Sequence, residues 1–207
     1  GFYCPPTDSQ YKSAFPVPCP LGYANNVTSN DRSSPMTGCA ICPAGSYRES
    51  ETVATCLTCP EGYVCEEGCK NSKPQNRSSH NGFPCPVGAY CPEGSGEPIY
   101  CPAGMHNPVT MSTNFSACIN CPINSYTDKA GSEYCHPCGS SAINEVEGSQ
   151  SCKCNATTRV YQTETGACLC KPQFEFYDSL GVKYEGDSLY ECSPITYAQC
   201  AVGEVRV

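Results

Sequence analysis

Pairs of cysteines separated by two residues recur along the chain, and such CxxC pairs can either bind a metal or form disulfides. Two of them, Cys39/Cys42 and Cys56/Cys59, lie within the segment CAICPAGSYRESETVATCLTCP. Such pairs supply two thiolates at a time to a tetrahedral zinc site. In an oxidising compartment, the same spacing is typical of a disulfide framework.

Composition favours the disulfide alternative. The chain has 21 cysteines in 207 residues, which is the signature of a secreted disulfide scaffold. Leu, Ile, Val and Phe together make up about 14% of the residues, below the roughly 20% under which a chain struggles to bury an apolar core. We therefore expect covalent links to replace that core.

The arrangement of the CxxC pairs also argues against zinc, because each pair closes one unit and opens the next. If the units bound zinc, each CxxC pair would have to supply ligands to the site before it and to the site after it. The simplest disulfide ladder joins each cysteine of a Cys-Pro motif to the first cysteine of the following CxxC. It predicts the pairs Cys19–Cys39, Cys42–Cys56, Cys101–Cys118 and Cys121–Cys135, and we further expect Cys138–Cys152, Cys154–Cys168 and Cys170–Cys192.

Five cysteines resist assignment, because spacing does not choose among their pairings. They are Cys59, Cys65, Cys69, Cys85 and Cys91. The odd total also leaves one cysteine whose partner lies on a missing segment or on another chain. The first residue is Gly, and no signal peptide or stretch of 18 apolar residues is present, so we expect a processed chain or a part of a longer one with no membrane span in this segment.

Four Asn-x-Ser/Thr sequons indicate passage through the secretory pathway, where N-linked glycans are added. All four lie in polar, turn-like surroundings from which a glycan could project. The acceptors are Asn26, Asn76, Asn114 and Asn155.

A repeated unit organises most of the chain. Cys-Pro, a turn residue and usually Tyr recur six times, as CPLGY, CPAGSY, CPEGY, CPVGAY, CPAGMH and CPINSY. With 19 prolines and 18 glycines, the chain is expected to be mostly coil with short antiparallel β-hairpins and no long helices, forming an elongated rod of tandem modules. The Tyr rings are expected to pack over disulfides.

The predicted segments follow the repeats. Residues 1–18 form an N-terminal segment, 19–59 and 101–152 carry the regular repeats, and 59–101 is an irregular cysteine-rich segment with an exposed, mobile polar loop from Lys70 to Gly82. Residues 152–207 form a hairpin module and tail. We expect one hairpin turning at 178–181 and a second, shorter one turning at 164–166.

The units, CPAGSYRESETVATCLTCP above all, resemble the ephrin-receptor-like cysteine-rich repeat over roughly residues 19–152, and are similar in style to tumour-necrosis-factor-receptor repeats. The CxC pairs and hairpin after Cys152 resemble an epidermal-growth-factor-like module. This resemblance implies a rod of disulfide-bonded modules that spaces or presents other parts of extracellular or ciliary-surface proteins. It does not fix a ligand.

Catalysis is not expected. The three histidines do not form a constellation, and His136, between Cys135 and Cys138, is interpreted as a surface residue rather than a metal ligand. No catalytic residue, metal ligand or cofactor is predicted. A net charge of −8 with 12 Lys and Arg disfavours nucleic acid and anionic membranes as partners.

Two functions remain. The first is a non-enzymatic extracellular structural or assembly role, as a glycosylated stalk or filament subunit of a cell-surface or ciliary-surface protein, contacting other copies of itself or other extracellular proteins. The alternative is a receptor ectodomain that binds a protein ligand. That alternative requires an exposed aromatic or arginine cluster, which the sequence does not reveal.

Overall fold

The computed structural model describes residues 2–3, 16–31 and 33–195. Short strands joined by turns make up this part of the chain. The helical elements are α1 (Pro35–Gly38), α2 (Arg77–His80) and a 3-10 turn (Phe115–Ala117). The strands are β1 (Phe2–Tyr3), β2 (Val17–Pro18), β3 (Tyr23–Asn25), β4 (Cys39–Ile41), β5 (Ser46–Tyr47), β6 (Leu57–Thr58), β7 (Tyr63–Cys65), β8 (Gly82–Pro84), β9 (Ala89–Tyr90), β10 (Ile99–Tyr100), β11 (Met105–His106), β12 (Ile119–Asn120), β13 (Ser125–Tyr126), β14 (His136–Pro137), β15 (Ala142–Ile143), β16 (Lys153–Cys154), β17 (Arg159–Gln162), β18 (Ala167–Cys170), β19 (Phe174–Glu175) and β20 (Ser193–Pro194).

Each strand pairs with a strand that is adjacent to it in chain order, so the described residues form ten two-stranded sheets. The longest is β17–β18, in which four residue pairs run from Arg159 opposite Cys170 to Gln162 opposite Ala167. A disulfide-rich fold of short antiparallel hairpins is therefore confirmed. The prediction that the hairpin turning at 164–166 is the shorter of the two C-terminal hairpins was wrong. That hairpin is β17–β18, with four residue pairs, whereas the one turning at 178–181 contains only the bridge between Tyr177 and Lys183.

The chain divides into two units. The first contains the described residues up to Pro102 together with His106–Ile119 and Ala130–Tyr134. The second contains Ala103–Met105, Asn120–Lys129 and the described residues from Cys135 onward.

The turn residue of each Cys-Pro motif has a left-handed backbone, which explains why five of the six copies carry glycine there. The sixth copy has Asn124, with φ of 61°, and asparagine is among the few other residues that tolerate this region. We call these six positions the turn residues: Gly22, Gly45, Gly62, Gly88, Gly104 and Asn124.

Each turn residue is joined by backbone hydrogen bonds to later parts of its own unit. In the first unit, the Gly88 N–H donates to the Asn107 carbonyl (2.7 Å), and the Gly88 carbonyl accepts from Cys101 N–H (2.8 Å). The Cys101 carbonyl then accepts from Gly131 N–H (2.8 Å). The same three bonds recur at Gly22, Gly45 and Gly62, and in the second unit at Gly104. We call this pattern the turn relay.

The relay brings two backbones so close that no side chain fits between them. A Cβ atom added to Gly88 would lie 2.1 Å from the Gly131 carbonyl oxygen, and one added to Gly104 would lie 2.1 Å from that of Gly148. Both distances are far below van der Waals contact. Glycine at these positions is therefore required by packing as well as by backbone conformation.

Sulfur and small side chains fill the interior. Among the described residues, 15 of the 22 buried apolar side chains are cysteines, and the only larger ones are Tyr47, Val64 and Tyr126. The predicted packing role of the repeat tyrosines fits this interior, because Tyr47 and Tyr126 are buried and Tyr23, Tyr63 and Tyr90 are half-buried. Covalent links thus take the place of an aliphatic core.

A buried arginine braces the first repeats. The Arg48 side chain is fully buried, and burial lowers the pKa of its guanidinium below the ordinary value. It forms no ion pair with the part of the chain that the structure describes, and it donates instead to backbone carbonyls. These are the carbonyls of Cys19, Pro20, Tyr23, Glu51 and Val53, at 2.8, 3.0, 2.6, 3.1 and 2.6 Å.

The polar loop from Lys70 to Gly82 is partly exposed and has defined structure. Asn76 caps α2 by accepting from Ser78 N–H at 2.8 Å, and the Lys70 N–H donates to the His80 carbonyl at 2.9 Å. Pro74 is fully buried. These two hydrogen bonds lie within the loop. The Ser72 N–H donates to the Glu49 carboxylate at 2.8 Å, which joins the loop to the rest of its unit.

Candidate interaction surface

An exposed aromatic surface lies between β19 and β20 in the second unit. Within fifteen residues the chain places seven large apolar side chains, of which six are exposed and Phe176 is half-buried. Tyr190 is 70% exposed although it also stacks on another ring. We define the aromatic surface as Phe176, Tyr177, Leu180, Val182, Tyr184, Leu189 and Tyr190.

A tight turn shapes one side of this surface. The Asp178 carboxylate accepts from the backbone N–H groups of Leu180 (2.8 Å) and Val182 (2.9 Å). The Asp178 N–H donates to the Val182 carbonyl, and the Tyr184 N–H donates to the Phe176 carbonyl. The hydrogen bonds from the turn amides to this carboxylate stabilise the loop without an apolar core beneath it.

The rings form a cluster centred on Phe176. Tyr190 stacks on it with ring centroids 5.9 Å apart and planes 10° apart. Tyr184 meets it edge-on at 6.3 Å, and the guanidinium of Arg159 lies 5.3 Å from its centroid. Stacked and edge-on pairs are each worth about 0.5–1.5 kcal/mol beyond the area they bury.

Arg159 fixes the backbone beneath these rings. It is 3% exposed, and it donates to the carbonyls of Tyr190 (2.5 Å), Cys168 (2.8 Å) and Gly186 (3.3 Å). A planar guanidinium can hold several carbonyls at once while its face contacts a ring. Arg159 therefore links the β17–β18 hairpin to the segment that carries Tyr190.

Two carboxylates anchor the far end of the segment. Asp187 accepts from the Cys168 N–H at 2.7 Å and from the Ser141 hydroxyl. Glu191 accepts from the N–H groups of Thr157 (2.6 Å) and Thr158 (2.8 Å) and from both of their hydroxyls. The Thr158 hydroxyl and the backbone amides lower the pKa of Glu191 to about 2.

We expect Glu191→Gln to lower the melting temperature of the second unit at pH 7 by a few degrees. A carboxylate with a depressed pKa stabilises the fold above its ordinary pKa of 4.5, and this contribution is lost as the pH falls through about 2. The melting temperature of the wild-type protein should therefore fall as the pH is lowered from 4.5 to about 2, and that of the variant should fall less. Thermal melts from pH 7 to pH 2 test this, with exposed Glu164→Gln as control. Equal pH profiles for wild type and Glu191→Gln would contradict the assignment.

All seven predicted disulfides are present in the structure, with sulfur atoms at bonding distance. Two further disulfides, Cys59–Cys65 and Cys85–Cys91, each close a ring with a sequence separation of 6. Cys69 is free and buried. Cys4 and Cys200 lie outside the described residues.

The surroundings of Cys69 make its thiol unreactive. It packs in a cluster with Tyr47 and the Cys59–Cys65 disulfide, and its thiol donates to the Asn71 carbonyl at 3.3 Å. Burial raises the pKa of this thiol. The protonated thiol is the unreactive form, so Cys69 behaves as a small packing residue.

The four predicted sequon asparagines occupy different settings. Asn76 and Asn114 are exposed and cap α2 and the 3-10 turn. Asn26 is half-buried, and its amide donates to the Thr37 carbonyl at 3.1 Å. Asn155 is exposed and directly follows β16.

The histidines and CxxC pairs do not assemble a metal site in the described part of the chain, where no group of three or more potential ligands converges. Cys135 and Cys138, which flank His136, are bonded to Cys121 and Cys152. The His136 ring lies 5.9 Å from that of Tyr126. The disulfide alternative for the CxxC pairs is thus the one that the structure contains.

Sequence reasoning missed the aromatic surface, although a signal was available. The Cys170–Cys192 disulfide has the largest sequence separation, 22, of those in the described residues, and its loop contains five of the chain's 20 aromatic residues: Phe174, Phe176, Tyr177, Tyr184 and Tyr190. No other cysteine lies inside that loop to cover the rings. A long loop rich in rings and free of internal cysteines therefore indicates exposed aromatics.

No protein-family model matches the chain. It is 29% identical over 135 residues to the mouse protein "Sushi, von Willebrand factor type A, EGF and pentraxin domain-containing protein 1", and 28% identical over 135 residues to the rat protein of that name. Each match covers 59% of this chain and 4% of the relative. In the described residues, no helix has the length and hydropathy to cross a bilayer. The disulfides and this similarity identify a disulfide-rich module of extracellular type.

Proposed function

We propose that this chain is a non-enzymatic module of a cell-surface or extracellular protein, and that its aromatic surface binds a protein partner. The ephrin-receptor-like repeats act as a disulfide-braced support. The observation that carries the proposal is the ring stack between half-buried Phe176 and Tyr190, which is 70% exposed. Large exposed apolar patches mark interaction sites in soluble proteins.

The construction of the surface favours binding. Tyrosine is enriched among residues that dominate binding energy. Because Asp178, Arg159 and Glu191 already fix the backbone beneath the rings, little conformational entropy is lost on association. A rigid surface of this kind suits a partner that also has a defined shape.

Charge favours a basic partner over a second copy. Half-buried Glu175 and exposed Asp178, Glu185 and Asp187 place negative charge beside the rings. Lys183 is paired with Glu185 at 2.9 Å. The chain carries a net charge of −8, so two copies repel one another. We therefore favour the receptor-type alternative, with a partner whose surface combines apolar and basic residues, over the stalk or filament role.

The test compares two tyrosines of similar exposure. The full chain, secreted from cultured cells, is screened against purified secreted and cell-surface ectodomains, and each interaction is measured again with Tyr190→Ala and Tyr134→Ala. Tyr134 is 63% exposed but lies in the first unit. Loss of a binding hot spot of about 2 kcal/mol weakens affinity roughly 30-fold for Tyr190→Ala, and Tyr134→Ala should have no effect.

Two results would contradict the proposal. One is a set of partners whose affinity is unchanged by Tyr190→Ala in a protein with the wild-type melting temperature. The other is concentration-dependent self-association in sedimentation velocity that Tyr190→Ala abolishes, which would favour the assembly role.

A further inference from the structure

We propose that Asn155 carries an N-linked glycan whose first sugar lies in a groove on the second unit. We call it the sequon groove, and its lining includes Ile143, Glu145, Val146, Ser151, Lys153 and Asn155. The groove measures about 530 Å³, within the range of about 300–1,000 Å³ that ligand pockets occupy. This inference does not depend on the aromatic surface.

The β15–β16 pair forms the part of the groove next to Asn155. Ile143 lies opposite Lys153, and Ala142 lies opposite Cys154. Side chains alternate between the two faces of a strand, so Lys153 shares the outer face with Ile143. Asn155, directly after the strand, lines the same groove. Ala142 is buried on the inner face.

The lining matches the surface chemistry of a pyranose sugar, which has apolar C–H faces and polar hydroxyl edges. Ile143 and Val146 are 40% and 68% exposed and provide an apolar floor. Glu145, Ser151 and Lys153 are exposed polar residues that can bond to hydroxyl groups. Covering Ile143 and Val146 would remove apolar area from water, which favours contact with the sugar's C–H face.

The covalent step follows ordinary sequon chemistry. The Asn155 carboxamide nitrogen bonds to the anomeric carbon of an N-acetylglucosamine carried on a lipid pyrophosphate donor. The bond from that carbon to the pyrophosphate oxygen breaks, the lipid pyrophosphate leaves, and the amide nitrogen loses one proton. The Asn155 N–H of the backbone, which donates to the Ser141 carbonyl at 3.0 Å, is not involved.

Asn114 provides a matched control. It is also an exposed sequon residue, but it caps a 3-10 turn and accepts from Ser116 N–H at 3.0 Å. It lies outside the sequon groove. A glycan there should project into solvent and leave the backbone around it unchanged.

The test uses the full chain secreted from cells that make only high-mannose glycans. Hydrogen exchange is measured on the intact glycoprotein, on the protein trimmed by an endoglycosidase to one sugar per site, and on Asn155→Gln and Asn114→Gln. We expect the single remaining sugar to keep the protection of residues 142–146 and 153–154. Asn155→Gln should raise exchange there at least about threefold, consistent with local opening, and Asn114→Gln should not.

An amidase that removes the whole glycan acts on protein that has already folded, so exchange with and without the first sugar can be compared even if Asn155→Gln is secreted poorly. An unoccupied Asn155 in glycopeptide mass spectrometry would overturn the inference. So would equal exchange of residues 142–146 in the intact glycoprotein and in folded Asn155→Gln.

Discussion

Replacing Arg48 with alanine is expected to destabilise the first repeats by at least about 3 kcal/mol, because it leaves buried carbonyl groups without a donor. The guanidinium serves five carbonyls from two separate segments, residues 19–23 and 51–53. The side chain is fully buried, so these hydrogen bonds are shielded from solvent in the wild-type protein. Hydrogen exchange with the disulfides intact should therefore show faster exchange in both segments.

Arg77→Ala is the matched control for this prediction. Arg77 is an exposed arginine of the same unit that forms a surface ion pair with Glu66 and lies 4.6 Å from the Phe83 ring centroid. Exposed pairs of this kind contribute about 0–1 kcal/mol. Similar stability losses for Arg48→Ala and Arg77→Ala would show that the buried hydrogen bonds of Arg48 do not brace the repeats.

Gly88→Ala should destabilise the first unit by about 3 kcal/mol or more, or prevent its native disulfides from forming. The new methyl group would overlap the carbonyl oxygen and carbon of Gly131. These are backbone atoms, so they cannot rotate away as a side chain could. Stability is measured by hydrogen exchange. Peptide mapping shows whether Cys85–Cys91 and Cys101–Cys118 still form.

Gly181→Ala separates the steric clash from the cost of backbone conformation. Gly181 has φ of 73°, the same as Gly88, but nothing lies within 4 Å of an added Cβ atom. Only the left-handed conformation is then unfavourable, at about 1–2 kcal/mol. If both variants lost the same stability, close backbone approach at the turn relay would not be a determinant of the fold.

Local spacing explains why seven disulfides could be predicted and others could not. Cys42 and Cys56 stand at the ends of a regular unit, so their pairing follows from the repeat. Between Cys59 and Cys91 the unit is interrupted, and several short rings are equally compatible with the sequence. The structure selects two rings of separation 6 and buries Cys69 unpaired.

Long-range contacts account for the rest of what sequence could not predict. Arg48 lies in a polar segment and gives no sign that it is buried against Cys19 and Tyr23. The exposure of Tyr190 depends on Arg159 and Glu191, whose partners lie about 30 residues away along the chain. Neither composition nor periodicity encodes such contacts.

The turn relay also has a consequence for biosynthesis. Each turn glycine packs against a partner that lies 43 to 49 residues further along the chain. The separation is shortest for Gly88 with Gly131 and reaches 49 for Gly62 with Met111. At a synthesis rate of about 5–20 residues per second, that partner emerges some two to ten seconds later. Each repeat of the relay can therefore close its disulfide ring before its turn is held in place. During that interval its cysteines are open to thiol–disulfide exchange, whereas most of them are buried in the finished fold.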